Sequence, residues 1–173
     1  GFIGQKRANL LPNVDIVCDL NVETAKKVAS LFDNCIVTNN IETVVSSNVD
    51  VVFVSVANAS LVPIAEKLAQ TGKHILLEKP GGISTDELIR LQTISAATNS
   101  LIRIGYNHRY HPACLKALEL VKKPEFGDIM FVRGRYGHGG RIGYEKEWRA
   151  KPEISGGGAV SYTHLRAHET DSY

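Results

Sequence analysis

The amino-acid sequence predicts an α/β protein built on a doubly wound parallel β-sheet. Short apolar runs alternate with amphipathic stretches from about residue 14 to residue 105 of the 173-residue chain. The runs at residues 51–56 and 74–78 lack the polar alternation expected of a strand with one face in water. We therefore expect parallel strands that carry helices on both faces of the sheet.

Local signals at the helix ends agree with this pattern. Asn21 precedes an amphipathic run and is a candidate N-cap. Ser84 opens another such run, with Glu87 three residues later, as in a capping box. A third helix is expected to end at Gln70, because Gly72 follows it and glycine favours the conformation that closes a helix. These signals predict helices between the apolar runs.

After residue 106 the pattern changes and predicts a second structural unit. A helix is expected to begin near Pro112, since proline suits the first turn of a helix. Residues 128–136 have the composition of a strand. Residues 134–158 are rich in glycine, which predicts a long loop that either shapes a binding site or lies at the surface.

Composition limits the classes of function. The chain is 43% hydrophobic and 22% charged, as expected of a folded protein, and its formal charge of +2 disfavours nucleic acid and anionic membrane surfaces as partners. No apolar run reaches the ~18 residues of a membrane span. Three widely separated cysteines, Cys18, Cys35 and Cys114, indicate neither a zinc site nor a disulfide framework, and they favour a reducing, cytoplasmic location.

The first residues resemble part of a dinucleotide-binding fingerprint. Gly1, Phe2, Ile3 and Gly4 lead into a helical stretch, and Asp19 ends the next apolar run, close to the ~20-residue separation expected. A helix N-terminus attracts a pyrophosphate, and a carboxylate accepts hydrogen bonds from ribose hydroxyls while repelling a 2′-phosphate. NAD is therefore predicted, with NADP as the other option, against the alternative of an ordinary turn at a helix start.

The tripeptide Glu78-Lys79-Pro80 stands at the carboxyl end of a predicted buried strand. Together with the other motifs of the chain it makes a family resemblance specific. Ligands bind at this edge in doubly wound folds. The chain resembles the Gfo/Idh/MocA family of nicotinamide-dependent sugar and polyol oxidoreductases from Gly1 to about Ala159. The residues that carry the resemblance are the opening Gly1–Gly4 with Asp19, the Ala57-Asn58 turn, Gly72-Lys73-His74, the tripeptide Glu78-Lys79-Pro80, residues 106–112 and residues 148–158.

The resemblance implies roles around the nicotinamide. Lys79 is expected to be the catalytic residue beside the nicotinamide ribose and the reacting hydroxyl, with Glu78 on the ribose and carboxamide side. Ala57 and Asn58 are expected to line the same pocket. An ammonium group can bind an alcohol, stabilise the developing alkoxide and relay its proton. The alternative for Lys79 is a solvated lysine at a strand end.

The resemblance also implies where the substrate binds. Asn107, His108 and Arg109 lie in the crossing to the substrate domain, and Trp148 and Arg149 match a loop that reaches nicotinamide and substrate. His108 could share a metal with a second histidine three residues later, but no third ligand is indicated, so no metal is predicted. Six cations against two anions between residues 131 and 151 indicate an anionic substrate, or else a solvated surface or subunit contact.

The resemblance predicts the domain boundaries and two incomplete ends. We expect an NAD(P)-binding Rossmann domain that lacks its first strand over residues 1–106, and the beginning of a substrate and oligomerisation domain over residues 107–159. Residues 160–173 resemble a translated sequencing adapter and are expected to be non-native. The family's Asp and His that follow the glycine run are not found here, so this chain by itself is expected to be an inactive fragment.

The predicted function of the parent protein is hydride transfer between nicotinamide and a carbinol carbon of a sugar, nucleotide-sugar or polyol. A homo-oligomer is expected, with neither nucleic acid nor membrane as a partner. Two alternatives remain at this point. One is an NAD-dependent glycoside hydrolase of the same family, and the other is a non-catalytic nucleotide-binding module.

Overall fold

A computed structural model of the protein describes residues 1–134, 146 and 151–156. Its strands are β1 Ile16–Cys18, β2 Ile36–Thr38, β3 Val51–Val54, β4 His74–Leu77 and β5 Ile102–Ile104. Its α-helices are α1 Phe2–Ala8, α2 Val22–Ala29, α3 Ile41–Val45, α4 Asn58–Gln70, α5 Thr85–Thr98, α6 Pro112–Leu120 and α7 Pro152–Ser155. Short 3-10 helices occupy Asn107–Tyr110 and Pro124–Phe126.

The strands form two parallel sheets, which confirms the predicted α/β fold class. β1 pairs with β2, with Ile16 opposite Ile36. The second sheet has the order β3-β4-β5, so β4 is its central strand, with Ile75 opposite Ile102. The break between the two sheets falls between β1 and β3. In the strand order 3-2-1-4-5-6 of a doubly wound fold, β1 and β3 correspond to strands 2 and 4, which lie on either side of strand 1.

The helix ends follow the predicted signals. The Asn21 side chain accepts a 3.0 Å hydrogen bond from the Thr24 N–H, and the Ser84 hydroxyl accepts one of 3.3 Å from the Glu87 N–H. Gly72, directly after the C-cap of α4, has a φ of +78°. The short helix α3 was not predicted, although Asn40 provides the N-cap that could have indicated it.

The hydrophobic core lies around α4. The inward-facing residues of α4 are fully buried against β3, β4 and α5. The second sheet covers one side of α4, and neighbouring helices cover other sides. Each fully buried Val, Leu or Ile side chain contributes ~1.5–3 kcal/mol relative to exposure. The core residues of these elements are Val54, Leu61, Val62, Ala65, Leu68, Ala69, Ile75, Leu77 and Leu91.

The second predicted unit differs from expectation. Helix α6 begins at Pro112 as predicted, but residues 128–134 form no strand, and Met130 and Phe131 are 87% and 82% exposed. A strand needs a partner for its backbone groups, and within the described residues none lies beside this segment. The remaining two residues of the predicted strand, 135–136, fall outside the described part of the chain.

The described helices are shorter than a membrane span. None of them is both long enough and apolar enough to cross a bilayer. The longest, α5, has 14 residues, whereas a span needs about 20.

Candidate functional site

Helix α1 lies against the carboxyl ends of three strands. The Gly1 nitrogen is 3.0 Å from Asp19 Oδ2, directly after β1. A Cβ on Gly4 would lie 3.7 Å from the Cβ of Ser55, directly after β3. Further along α1, the Arg7 Nε donates a 2.7 Å hydrogen bond to Glu78 Oε1, directly after β4. The ends of both sheets therefore meet at one helix, as the Gly1–Gly4 pattern predicts for a ligand-binding edge.

Asp19 is held in place from both sides. Its Oδ1 accepts a 2.9 Å hydrogen bond from the Asn21 N–H, at the N-cap of α2. Partial burial opposes ionisation of this carboxyl group, but the hydrogen bonds that it accepts from the Asn21 N–H and from the Gly1 nitrogen favour the carboxylate, and its pKa is lowered. Asp19 is therefore a fixed carboxylate beside the start of α1.

The carboxylate changes the chemistry of its neighbour Cys18. Burial, and then the negative charge of Asp19, raise the pKa of the Cys18 thiol, and burial is also the main cause of the raised pKa of Cys35. Both thiols and Cys114 are free. A raised pKa lowers the fraction of thiolate at neutral pH.

The residues after β4 form a tight turn that carries Lys79. The Glu78 N–H donates to the Val54 carbonyl at 2.9 Å, which extends the β3–β4 pairing by one residue. The peptide bond between Lys79 and Pro80 is cis, and the next residue, Gly81, has a φ of +92°. Lys79 is thus held at the end of the central strand, half-buried at the sheet edge.

A second contact supports this turn from β5. The Tyr106 hydroxyl donates a 2.9 Å hydrogen bond to the Pro80 carbonyl. A Cβ on Gly81 would lie 2.5 Å from Ile104 Cδ1, so the turn packs closely on the last residue of β5. The Lys79 turn is therefore clamped between α1, through Glu78, and the end of β5.

Glu78 is the acceptor of an ion pair. Both Nε and Nη2 of Arg7 donate to its Oε1, and the side chains of Arg7 and Glu78 are 24% and 15% exposed. Gly105 lies against the pair, because a Cβ there would be 2.8 Å from Arg7 Nη2 and 3.4 Å from Glu78 Oε1. Neither Arg7 nor Gly105 is a site residue predicted from the sequence.

Asn58 is the buried first residue of α4, and Ala57 is the N-cap of that helix. The Asn58 side-chain amide donates a 2.9 Å hydrogen bond to the carbonyl of Ser155, the last residue of α7. Asn58 is 4% exposed and Ser155 is 1% exposed. The Ala57-Asn58 turn therefore follows β3 at the same edge as Lys79 and holds α7 against α4.

The predicted substrate-side residues lie outside this cluster of buried and half-buried residues or outside the described part of the chain. Asn107, His108 and Arg109 are exposed on the 3-10 helix that follows β5 and Tyr106. Trp148 and Arg149 lie outside the described residues. Among the described residues no group of three or more His, Cys, Asp or Glu side chains is arranged to hold a metal ion.

Comparison with known proteins identifies the family. A family model described as an oxidoreductase family with an NAD-binding Rossmann fold, Gfo/Idh/MocA, matches residues 1–106. The match covers more than half of the chain and ends where the strands end, at the residue after Gly105. The protein belongs to the Gfo/Idh/MocA family.

Individual relatives include dehydrogenases and a hydrolase. The chain is 26% identical over 156 residues to levoglucosan dehydrogenase of Pseudarthrobacter phenanthrenivorans, covering 88% of this chain and 40% of that protein. It is 26% identical over 126 residues to glycosyl hydrolase family 109 protein 2 of Bacteroides fragilis, covering 68% and 30%. Among solved structures, GenD2 from gentamicin A biosynthesis in complex with NAD has 26% identity and a TM-score of 0.69, covering 72% and 37%. The chain spans less than half the length of each.

Proposed function

We propose that the complete gene product is an NAD(P)-dependent oxidoreductase that moves hydride between a carbinol carbon of a sugar, nucleotide-sugar or polyol and nicotinamide. The observation that carries this proposal is the placement of Lys79 two residues after the end of central strand β4, at an edge where α1 also meets Asp19. Family membership and similarity to levoglucosan dehydrogenase support the same class of reaction.

The described residues fit a dinucleotide. Gly1 carries no side chain, so a phosphate group can approach the backbone at the start of α1. Asp19 is ionised beside it and can accept hydrogen bonds from ribose hydroxyls. Phe2, Ile3 and Gly4 complete this end of the proposed cofactor site. We propose NAD as the preferred cofactor because the carboxylate repels a 2′-phosphate.

When bound, nicotinamide supplies the hydride acceptor. Lys79 is the proposed catalytic residue: its ammonium group binds the alcohol oxygen and stabilises the negative charge that develops on it. The clamp on its turn limits the movement of the amine, which favours the alignment that such a reaction needs. Ala57 and Asn58 border the same pocket in this proposal.

The substrate side of the proposal involves the residues after β5. Asn107, His108 and Arg109 are proposed to border the sugar, and Trp148 and Arg149 to reach it from the glycine-rich loop. We propose residues 1–106 as the cofactor domain and residues 107–159 as the start of the substrate domain. The end of the family match at residue 106 supports that boundary.

Three finer proposals concern substrate charge, assembly and location. Basic residues between 131 and 151 support an anionic substrate. On α6, the half-exposed Leu115 and Leu118 support a homo-oligomer, because apolar side chains at a surface favour association. Free cysteines support a cytoplasmic location. Neither nucleic acid nor membrane is proposed as a partner, since the net charge is only +2.

The test uses the complete gene product and a panel of aldoses, polyols, sugar acids and sugar phosphates, with NADH formation as the readout. We expect Lys79→Met to lower kcat by at least about 100-fold, the usual size of a lost acid–base group, with the Kd for NADH little changed. The matched control is Lys67→Met, because Lys67 forms an exposed ion pair with Glu42. Full activity of Lys79→Met would reject Lys79 as the catalytic residue.

One alternative is favoured by a specific relative, the family 109 glycosyl hydrolase of Bacteroides fragilis. Product analysis separates the two activities. A dehydrogenase accumulates NADH and an oxidised sugar in equal amounts, whereas an NAD-dependent hydrolase releases a sugar from a glycoside with no net NADH. Hydrolysis without NADH accumulation would replace the main proposal by this alternative.

A further inference from the structure

The ion pair between Arg7 and Glu78 joins two parts of the candidate site that are 71 residues apart. Arg7 lies near the end of α1, whose first residues border Asp19, and Glu78 directly precedes Lys79. Two nitrogens of the guanidinium group donate to the same carboxylate oxygen. The pair therefore connects the proposed phosphate end of the site with the turn that carries the proposed catalytic amine.

This pair differs from the other ion pairs that the structure describes. Lys67 and Glu42 are 54% and 53% exposed, whereas the Arg7 and Glu78 side chains are 24% and 15% exposed. Exposed pairs contribute little because water screens them and flexible side chains must be ordered. The partly buried arginine is screened less, and its planar fork fixes direction as well as distance.

Gly105 provides the room for the guanidinium group. A Cβ at this position would lie 2.8 Å from Arg7 Nη2 and 3.4 Å from the Leu77 carbonyl. The φ of Gly105 is not in the left-handed region, so backbone conformation does not require glycine here. An added Cβ would instead displace the Arg7 guanidinium group, at the point where α1, β4 and β5 meet.

We propose that Arg7 is a positioning residue that acts through Glu78 to hold Lys79 in its reactive place, and that Gly105 makes this contact possible. The inference rests on the proposed function. It assigns Glu78 primarily to Arg7, whereas the family resemblance assigns it to the ribose and carboxamide of the cofactor. Arg7 itself touches neither substrate nor cofactor in this proposal.

The first test separates kcat from cofactor affinity in the complete gene product. Arg7→Gln and Glu78→Gln are each expected to lower kcat about tenfold or more, because small misplacements of a catalytic group have large effects, while the Kd for NADH changes by less than about threefold. The control is Arg90→Gln, because Arg90 on α5 pairs with Glu66 on α4, away from the candidate site. If Glu78→Gln weakens NADH binding while Arg7→Gln changes nothing, Glu78 is a direct cofactor ligand and the proposal is rejected.

Two combined variants exclude a general loss of structure. Arg7→Gln with Glu78→Gln is expected to have a kcat no lower than the more damaged single variant, since both remove one contact. Gly105→Ala is expected to lower kcat in the wild-type background but not in Arg7→Ala, where the guanidinium group is gone. Multiplicative losses in either combination would overturn the proposal.

A cofactor-free measurement distinguishes failure of this inference from failure of the proposed function. A double-mutant cycle of Arg7→Gln and Glu78→Gln in urea unfolding measures their coupling without any ligand. Additive effects would reject the pairing even if NADH binds normally. If wild-type protein does not bind NADH, the proposed function fails, and the cycle alone decides whether Arg7 positions the Glu78–Lys79 turn.

Discussion

The side-chain amide of Asn58 donates a 2.9 Å hydrogen bond to the backbone carbonyl of Ser155, 97 residues later in the chain. Both residues are buried. This contact holds α7 on the N-terminal end of α4, next to the carboxyl end of β3. It contributes to the position of a short helix of four residues.

Replacing Asn58 by alanine is expected to lower the free energy of unfolding by about 1–3 kcal/mol, because the buried carbonyl of Ser155 loses this donor. Urea unfolding of the complete gene product measures the change. Asn13→Ala is the matched control, since the Asn13 amide makes an exposed hydrogen bond to Asp15. Equal effects of the two substitutions would show that the contact with α7 does not contribute.

Lys73 is a buried lysine whose Nζ donates to the carbonyls of Ser47 at 2.6 Å and Val49 at 3.3 Å. Lys73→Met is expected to destabilise the fold by about 1.5–3 kcal/mol, because hydrogen bonds to charged groups are stronger than neutral ones. The exposed Lys67→Met should change stability by no more than about 1 kcal/mol. Thermal unfolding of the two variants side by side tests the difference.

Asp19 makes stability depend on acid pH. Its pKa is lowered in the folded protein, so its contribution is present above the unfolded pKa of about 3.9 and is lost as pH falls through the folded value. The stability difference between wild type and Asp19→Asn is expected to be constant above about pH 5 and to shrink in more acidic buffer. Unfolding curves at a series of pH values give this difference, and parallel profiles of the two proteins would contradict the expectation.

Gly81 and Gly127 form a matched pair for the Lys79 turn. Both have positive φ, +92° and +73°, but a Cβ at Gly127 meets nothing within 4 Å, whereas at Gly81 it would lie 2.5 Å from Ile104. Gly127→Ala should cost about 1–3 kcal/mol from backbone strain alone, because its φ of +73° and ψ of −166° lie in a region that is essentially restricted to glycine. Gly81→Ala should cost more and should also lower kcat, because the turn moves. An equal cost in unfolding experiments would show that Ile104 yields to the added methyl group.

Signals within a few residues of each helix end predicted much of the fold, because the interactions that start and end a helix involve only neighbouring residues. The N-caps at Asn21 and Ser84 and the glycine after α4 depend on residues within one helical turn, and the structure confirms all three helices. The end of β4 could be located because its apolar run stops at Glu78. Parallel pairing could be predicted because the apolar runs lack the polar alternation of a strand with one face in water.

The remaining features depend on contacts between distant residues. Nothing in the sequence near Arg7 indicates that it pairs with Glu78, and the need for glycine at position 105 arises only when α1, β4 and β5 come together. Residues 128–134 show the opposite case. Their strand-like composition is a local preference, and it does not form a strand among the described residues because no partner strand lies beside them.

The bond between the Tyr106 hydroxyl and the Pro80 carbonyl has a mechanical consequence. Tyr106 is the residue between β5 and the 3-10 helix at Asn107–Tyr110, so the chain leaves the sheet at this point. A movement of the following segment that displaces the Tyr106 side chain would break this bond or move the Pro80 carbonyl with it. The position of the Lys79 turn is therefore coupled to the point at which the backbone leaves the sheet.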